Sequence, residues 1–162
     1  YNSQVLLEEE LEEVSAYCNI YIIKNSVPLL MQQQVSEETK SYEVPILCIQ
    51  TFVENSIKYA VSKDRVLSVT IRANRIKDEG RAYLRICIMD NGEGYRPEVL
   101  EQLNRPVKEF QYHSRHVGVD NIKYRIFLLY GERAKLYFYN SPAGGAVTEM
   151  LLPQEENESA DY

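Results

Sequence analysis

VLSVTIRANRI at residues 66–76 and AYLRICIMD at 82–90, joined by the turn KDEGR at 77–81, decide the fold. In the first run Leu67, Val69, Ile71 and Ala73 alternate with Ser68, Thr70, Arg72 and Asn74, and Leu84, Ile86 and Ile88 repeat the pattern after the turn. A period of two places the apolar set on one face of a pleated ribbon and the polar set on the other. Two such runs across a glycine-containing turn describe an antiparallel hairpin with one face against a core.

Working outward, Pro45 suits the first position of a helix reaching about residue 61. Ile46, Ile49, Val53, Ile57 and Ala60 form its apolar stripe, and Thr51, Asn55, Lys58 and Tyr59 fall on the far side. Over 4–24, Leu7, Leu11, Val14, Cys18 and Tyr21 alternate spacings of four and three, the seam of a helix packed against other helices. Glu8, Glu9, Glu10, Glu12 and Glu13 crowd its first half, where the helix dipole tolerates them, and Pro28 ends it. Residues 29–35 form a strand with a weak pattern at Gln32, Gln33 and Gln34, and 36–43 a polar turn.

Downstream, Pro97 opens a short helix to Leu103, and residues 105–117, which lack periodicity, are expected to form a mobile loop. A helix over 119–130 carries Val119, Ile122, Ile126 and Leu129 on one face and stops at Gly131. Strands at 134–140 and 146–152 close the fold, and the acidic tail 154–162 is expected to be disordered. Helices and antiparallel strands that do not alternate as βαβ units make an α+β two-layer sandwich, helices covering one face of a mostly antiparallel sheet.

With 162 residues the chain matches one ordinary globular domain, and its charge of −6 argues against a nucleic-acid partner. Cys18, Cys48 and Cys87 are widely spaced in apolar contexts, as reduced buried thiols are. The chain begins at Tyr1 without a basic n-region or cleavage site, so it reads as an excised fragment whose membrane anchor, if any, lies upstream.

Chemistry concentrates in three places. Asp90-Asn91-Gly92-Glu93-Gly94 ends the second hairpin strand, and Asp90 shares the inward parity of Ile86 and Ile88. An inward carboxylate needs a donor, and Gly92 and Gly94 let the backbone approach a flat base; the same residues also describe an ordinary tight turn. Asn55, Lys58 and Tyr59 share one helix face, which is suited to Mg²⁺ and phosphates or simply to solvent. Glu54 is rotated about 100° from Asn55, in reach of a metal-bound water or a nucleophile's proton. Finally, His116-Val117-Gly118-Val119-Asp120-Asn121 leads from the loop into a helix, where Gly118 offers backbone N–H groups to an anion or serves as a hinge. Arg115, Lys123 and Arg125 are expected to gather positive charge there.

Taken together, 53–59, 90–94 and 118–121 resemble the N, G1 and G2 boxes of GHKL ATP-binding domains, and the flanking segments 45–50 and 121–131 resemble YesM-like sensor histidine kinases. The resemblance implies the Bergerat fold, with 1–26 a linker helix from a phosphoacceptor hairpin lying outside the chain and 27–153 the catalytic domain. It implies ATP and Mg²⁺ as cofactors, with Asn55 the metal ligand and Glu54 and Asn55 the catalytic pair. Lys58, Tyr59, Asp90, Gly92, Gly94, Arg115, His116, Gly118, Val119 and Asn121 then contact the nucleotide. The implied partners are the phosphoacceptor domain of the same protein, a second copy in a homodimer, and a downstream response regulator, in the cytoplasmic part of a membrane-anchored sensor.

Three positions depart from the pattern. His116 replaces the usual first glycine of the G2 box, Ala146 stands where a Gly-Thr pair is usual after Gly145, and Thr51 lacks the acidic group of related ATPases. His116 and Ala146 keep open a nucleotide-binding module without catalysis; a GHKL ATP hydrolase is the second alternative, disfavoured by Thr51.

Overall fold

The computed structural model describes residues 3–60, 65–106 and 116–155. A short strand β1 (Gln4–Leu6) leads directly into helix α1 (Leu7–Asn25), so the first helix starts three residues later than its heptad-like pattern suggests. Then come strand β2 (Leu29–Val35), a 3-10 turn over Glu37–Ser41, strand β3 (Glu43–Pro45) and helix α2 (Cys48–Ala60). The long hairpin follows as β4 (Leu67–Asp78) and β5 (Arg81–Asp90), then helices α3 (Pro97–Leu103) and α4 (Val117–Tyr130), and strands β6 (Lys135–Asn140) and β7 (Ala146–Pro153).

Five strands form one sheet in the order β2-β4-β5-β7-β6. β2 runs parallel to β4, and the other pairs are antiparallel. Val69 lies opposite Asp90 and Ile71 opposite Ile88, so the inward parity read for Asp90 holds. Ile71, Leu84, Ile86, Ile88, Met150 and Leu152 from this face pack with Phe52 of α2, Leu7 of α1 and Ile122 of α4 in one buried cluster. The result is the two-layer α+β sandwich that the alternating strands imply, with a mixed sheet. All three cysteines are free and buried, and no helix among the described residues is long and apolar enough to cross a membrane.

Pro45 is not the first residue of α2. It ends β3, which pairs with β1 in a separate two-stranded ribbon where Gln4 faces Pro45. Ile46 consequently leaves the helical stripe, Leu47 takes a left-handed φ of 64°, and the helix begins at Cys48. Two bonds to the Glu10 carboxylate, from the backbone N–H groups of Leu47 and Gln50, fix that start. At the other end of the chain, Gly131 stops α4 as expected, its N–H donating to the Phe127 carbonyl. Most of the expected loop, 107–115, and the tail beyond 155 lie outside the described residues.

Candidate functional site

Helix α2 carries the site because two adjacent stripes of it face different neighbours. One stripe packs inward through Phe52, Ser56 and Ala60. The next presents Thr51, Asn55, Lys58 and Tyr59, and α4 closes against it. Thr51, Glu54, Asn55 and Lys58 line a cleft of about 160 Å³ together with His116, Val117, Gly118 and Val119. Gly118 sits in the first turn of α4, where a Cβ would come 3.4 Å from the Thr51 methyl. The N-terminal amides of α4 therefore stand over the wall that holds Asn55 and Lys58, an arrangement able to accept an anion between them.

Asn55 is only 8% exposed, which its place on a polar face did not suggest. Its cover is Tyr95, whose hydroxyl accepts a 2.8 Å bond from Asn55 Nδ2 and whose ring meets that of Tyr59 edge-on at 5.3 Å. Burial, reinforced by Asp90 and Tyr59 nearby, raises the Tyr95 phenol well above its ordinary range, so it stays protonated at neutral pH. Glu54 is exposed at the cleft edge and accepts a bond from Gln50 Nε2 at 3.1 Å. The Lys58 ammonium stands 5.3 Å from the Tyr59 ring centroid.

Asp90 lies at the inner end of the same helix. Its Oδ1 accepts the backbone N–H of Gly92 at 2.9 Å and of Ala146 at 3.1 Å, and the Ser56 side chain also bonds the carboxylate. Desolvation nevertheless dominates these three bonds and raises its pKa. The turn is closely fitted. A Cβ on Gly92 would lie 2.6 Å from Cβ of Ala60, and one on Gly145, at φ +85°, would lie 1.9 Å from the Asp90 carbonyl oxygen. Asp90 is thus a buried carboxylate with one oxygen engaged by two main-chain donors, Gly92 within its own turn and Ala146 at the start of β7.

His116 closes one end of the cleft. Its Nδ1 lies 3.4 Å from the Tyr59 hydroxyl and its Nε2 3.2 Å from Gln102 Oε1, so the ring bridges α2, α3 and the start of α4. Of the cations expected to gather positive charge there, Lys123 and Arg125, the two among the described residues, are engaged elsewhere. Lys123 turns away to donate to the carbonyls of Leu103 and Arg105, and burial lowers its pKa to about 8. Arg125 donates to the Ile46 carbonyl at 2.7 Å. Positions 123 and 125 lie more than a turn and a half beyond the start of α4 and about 200° apart around it, so the two cations leave the helix on different sides and reach carbonyls of different segments. Among the described residues Lys58 is the cation that lines the cleft.

Of the residues singled out from the sequence, Glu54, Asn55, Lys58, His116, Gly118 and Val119 meet in this cleft. Tyr59 is joined to it through His116. Asp90, Gly92 and Gly94 form the neighbouring turn, Gly94 packing on Asn140. Asn121 is not among the cleft-lining residues, and Arg115 lies outside the described residues. Sequence reasoning missed Tyr95, Ser56 and Asn140. Asn140 accepts the N–H of Tyr95 at 2.8 Å and returns a bond to its carbonyl at 2.9 Å, pinning the turn from the edge strand. Only Tyr95 left a signal, as a large aromatic following two glycines.

The sequence profile of histidine kinase-, DNA gyrase B- and HSP90-like ATPases matches residues 44–156. A sensor protein kinase from Staphylococcus aureus strain USA300, HptS, is 24% identical over 149 residues, covering 92% of this chain and 28% of its own length. The chain thus spans less than a third of that relative. Among solved structures, the mycobacterial sensor histidine kinase MprB superposes with a TM-score of 0.64 at 14% identity, covering 94% of this chain and 97% of its own. The catalytic domain of histidine kinase ThkA superposes at 0.62 with 15% identity, covering 93% of each chain. The histidine kinase domain of a blue-light-activated kinase from Erythrobacter litoralis gives 0.61 at 17%, covering 94% and 64%.

Proposed function

The chain belongs to the histidine kinase-, DNA gyrase B- and HSP90-like ATPases, and on that premise we propose that it is the ATP-binding half of a sensor histidine kinase, delivering the γ-phosphoryl group to a histidine on a separate phosphoacceptor domain. The observation that carries this reading is the convergence of Asn55, Lys58 and the Gly118 turn on one cleft, with the buried Asp90 carboxylate beside the same helix. Asp90, with Oδ1 engaged by Gly92 and Ala146, has acceptor capacity left for the exocyclic amine of adenine. Tyr59 and Tyr95 give the base aromatic surface. Lys58 and the amides of Gly118 and Val119 hold phosphate oxygens.

The donor set fits magnesium. Mg²⁺ keeps most of its shell from water and substrate phosphates and needs only one or two protein oxygens. Asn55 Oδ1, neutral and without a hydrogen-bond partner among the described residues, would supply one. When bound, the ion neutralises charge developing on the transferred group. For their part, the protein residues orient the phosphates and keep water out, while Glu54 at the rim receives the proton of the attacking imidazole or holds a water. Thr51, on the cleft wall one turn before Asn55, has no carboxylate to activate water, which favours transfer over hydrolysis. The departure at Ala146 does not count against binding, because that residue serves Asp90 through its backbone N–H.

The coarse membership of two-component signalling extends here to a phosphoacceptor hairpin preceding α1, a second copy in a dimer, a response regulator, and a membrane anchor elsewhere in the full protein. Calorimetric titration with an ATP analogue, with and without Mg²⁺, tests the cleft. Acid-labile phosphate on a histidine of a fragment carrying the hairpin, mixed with this chain and ATP, tests transfer. Binding without any transfer would leave a nucleotide module without catalysis.

A further inference from the structure

Glu10 belongs to no motif, yet it is 2% exposed in the middle of an acidic run. Its Oε2 accepts the N–H of Leu47 at 3.1 Å and its Oε1 the N–H of Gln50 at 3.2 Å. Two of the donors that the start of α2 leaves unsatisfied are therefore met by a side chain of α1, some forty residues earlier in the chain, and not by a local cap. Burial pushes the carboxyl pKa up, against the lowering effect of backbone bonds from Gln50, Leu47 and Ile49, and Glu13 adds repulsion.

The same loop is tied a second time. Arg125 donates to the Ile46 carbonyl at 2.7 Å and reaches the Ser3 carbonyl at 3.5 Å, while the Ile46 N–H donates to Ser3 O at 3.1 Å. With Gln4 opposite Pro45 in the β1–β3 ribbon, residues 45–47 have no freedom independent of residues 3–10.

We propose that Glu10 is a positioning residue for the nucleotide cleft: through its carboxylate, α1 sets the pose of α2 and hence of Asn55. Gln50 and Asn55 lie five residues apart on one helix, about 7.5 Å along its axis, with the cleft-lining Thr51 and Glu54 between them. A helix is stiff over that length, so a shift of its first turn is delivered to Asn55 and Lys58. Any input arriving on α1 acts on the cleft by this route. The proposal rests on the reading of the cleft as a nucleotide site, and it differs from a plain stabilising cap in one respect. A positioning role makes cap and ligand thermodynamically linked, and linkage is reciprocal.

The test is amide hydrogen exchange on the 162-residue chain with and without a non-hydrolysable ATP analogue and Mg²⁺. Ligand is expected to slow exchange at Leu47 and Gln50 as well as at Gly92 and Ala146. Glu10→Gln, which replaces an acceptor oxygen by a donor, is expected to bind the analogue about fivefold or more weakly, while the exposed neighbour Glu9→Gln binds as the unaltered chain does. Protection of Gly92 and Ala146 with no change at Leu47 and Gln50 overturns the proposal and leaves the nucleotide reading intact. No protection at any of the four amides removes the nucleotide reading itself. If Glu10→Gln does not fold, as circular dichroism would show, the exchange comparison on the unaltered chain decides alone.

Discussion

Asn55 Nδ2 donates to the Tyr95 hydroxyl at 2.8 Å, tying the α2 cleft wall to the turn that follows Asp90. The bond orients the amide. Because the nitrogen is committed to Tyr95, Oδ1 is left as the oxygen without a partner among the described residues, the one a divalent cation would use. Tyr95 is held in turn by Asn140 through two backbone bonds, so the edge strand β6 reaches Asn55 through a single side chain.

Tyr95→Phe removes that hydroxyl and strands a buried amide nitrogen. The expected loss of stability is about 1–2 kcal/mol, measured by urea unfolding. The amide then becomes free to rotate, so analogue binding should weaken more with Mg²⁺ than without it. Equal weakening in the two conditions would show that Asn55 orientation does not serve a metal.

Asp90→Asn keeps an Oδ1 for Gly92 and Ala146, so the turn should fold. The substituted amide nitrogen instead presents donors to the amine of adenine. Binding is expected to fall by about 1–3 kcal/mol, the scale of one charged hydrogen bond in a closed site. Calorimetry giving the same affinity for the variant would return Asp90 to the role of a turn residue.

The raised pKa of Asp90 also fixes the sign of a pH effect. A carboxyl that holds its proton more tightly when folded contributes stability that is fully present below its unfolded pKa of 3.8 and lost as pH rises through the folded value. Asp90→Asn lacks this contribution at every pH. Glu10 shifts in the same direction but is common to both proteins, so it cancels in the comparison. The variant should therefore gain stability relative to the unaltered chain as pH rises upward from about 4, then level off. A flat difference in unfolding free energy would mean that desolvation does not dominate at this site.

Gly145 and Gly80 separate steric cost from backbone strain. Their φ values are alike at +85° and +77°, but a Cβ at 145 meets the Asp90 carbonyl at 1.9 Å whereas one at 80 meets nothing within 4 Å. Gly80→Ala should cost about 1 kcal/mol, the usual penalty of a left-handed alanine. Gly145→Ala should cost well beyond that, about 3 kcal/mol or more, because Asp90 and β7 must move apart. Similar melting temperatures for the two variants would contradict the close approach.

The hairpin over 66–90 was legible because each face of it obeys one period, and the parity of Asp90 followed from it. The start of α2 was not. Local sequence offers Pro45 as a helix opener, but the donors at Leu47 and Gln50 are satisfied by Glu10 on another helix, and residues 45–47 are held by a ribbon whose other strand lies at Gln4–Leu6. Such long-range partners leave no trace in a window of ten or twenty residues. The same holds for Lys123 and Arg125, expected from nearness in sequence to gather positive charge at the start of α4, although both are drawn to backbone carbonyls of other segments. The burial of Asn55 was hidden because its cover, Tyr95, comes from a turn forty residues on.

His116, where the family pattern expects glycine, is predicted to act as a wall of the cleft and not as a ligand of the γ-phosphate. Both ring nitrogens already face protein partners, Tyr59 at 3.4 Å and Gln102 at 3.2 Å, and the ring lies 6.2 Å from that of Tyr59. Its carbonyl accepts the N–H of Asp120 at 2.8 Å, so the residue also opens the first turn of α4. An alanine retains that backbone bond but loosens α2 from α3 across the cleft. A wall serves every nucleotide alike. His116→Ala should accordingly weaken ADP and the ATP analogue by the same amount, about 1 kcal/mol, the scale of the neutral hydrogen bonds it removes. A γ-phosphate donor would behave differently, since only the triphosphate would lose a charged bond. Titration of both nucleotides against the variant distinguishes the two, and a loss for the ATP analogue exceeding that for ADP by more than about 1 kcal/mol would make His116 a phosphate ligand.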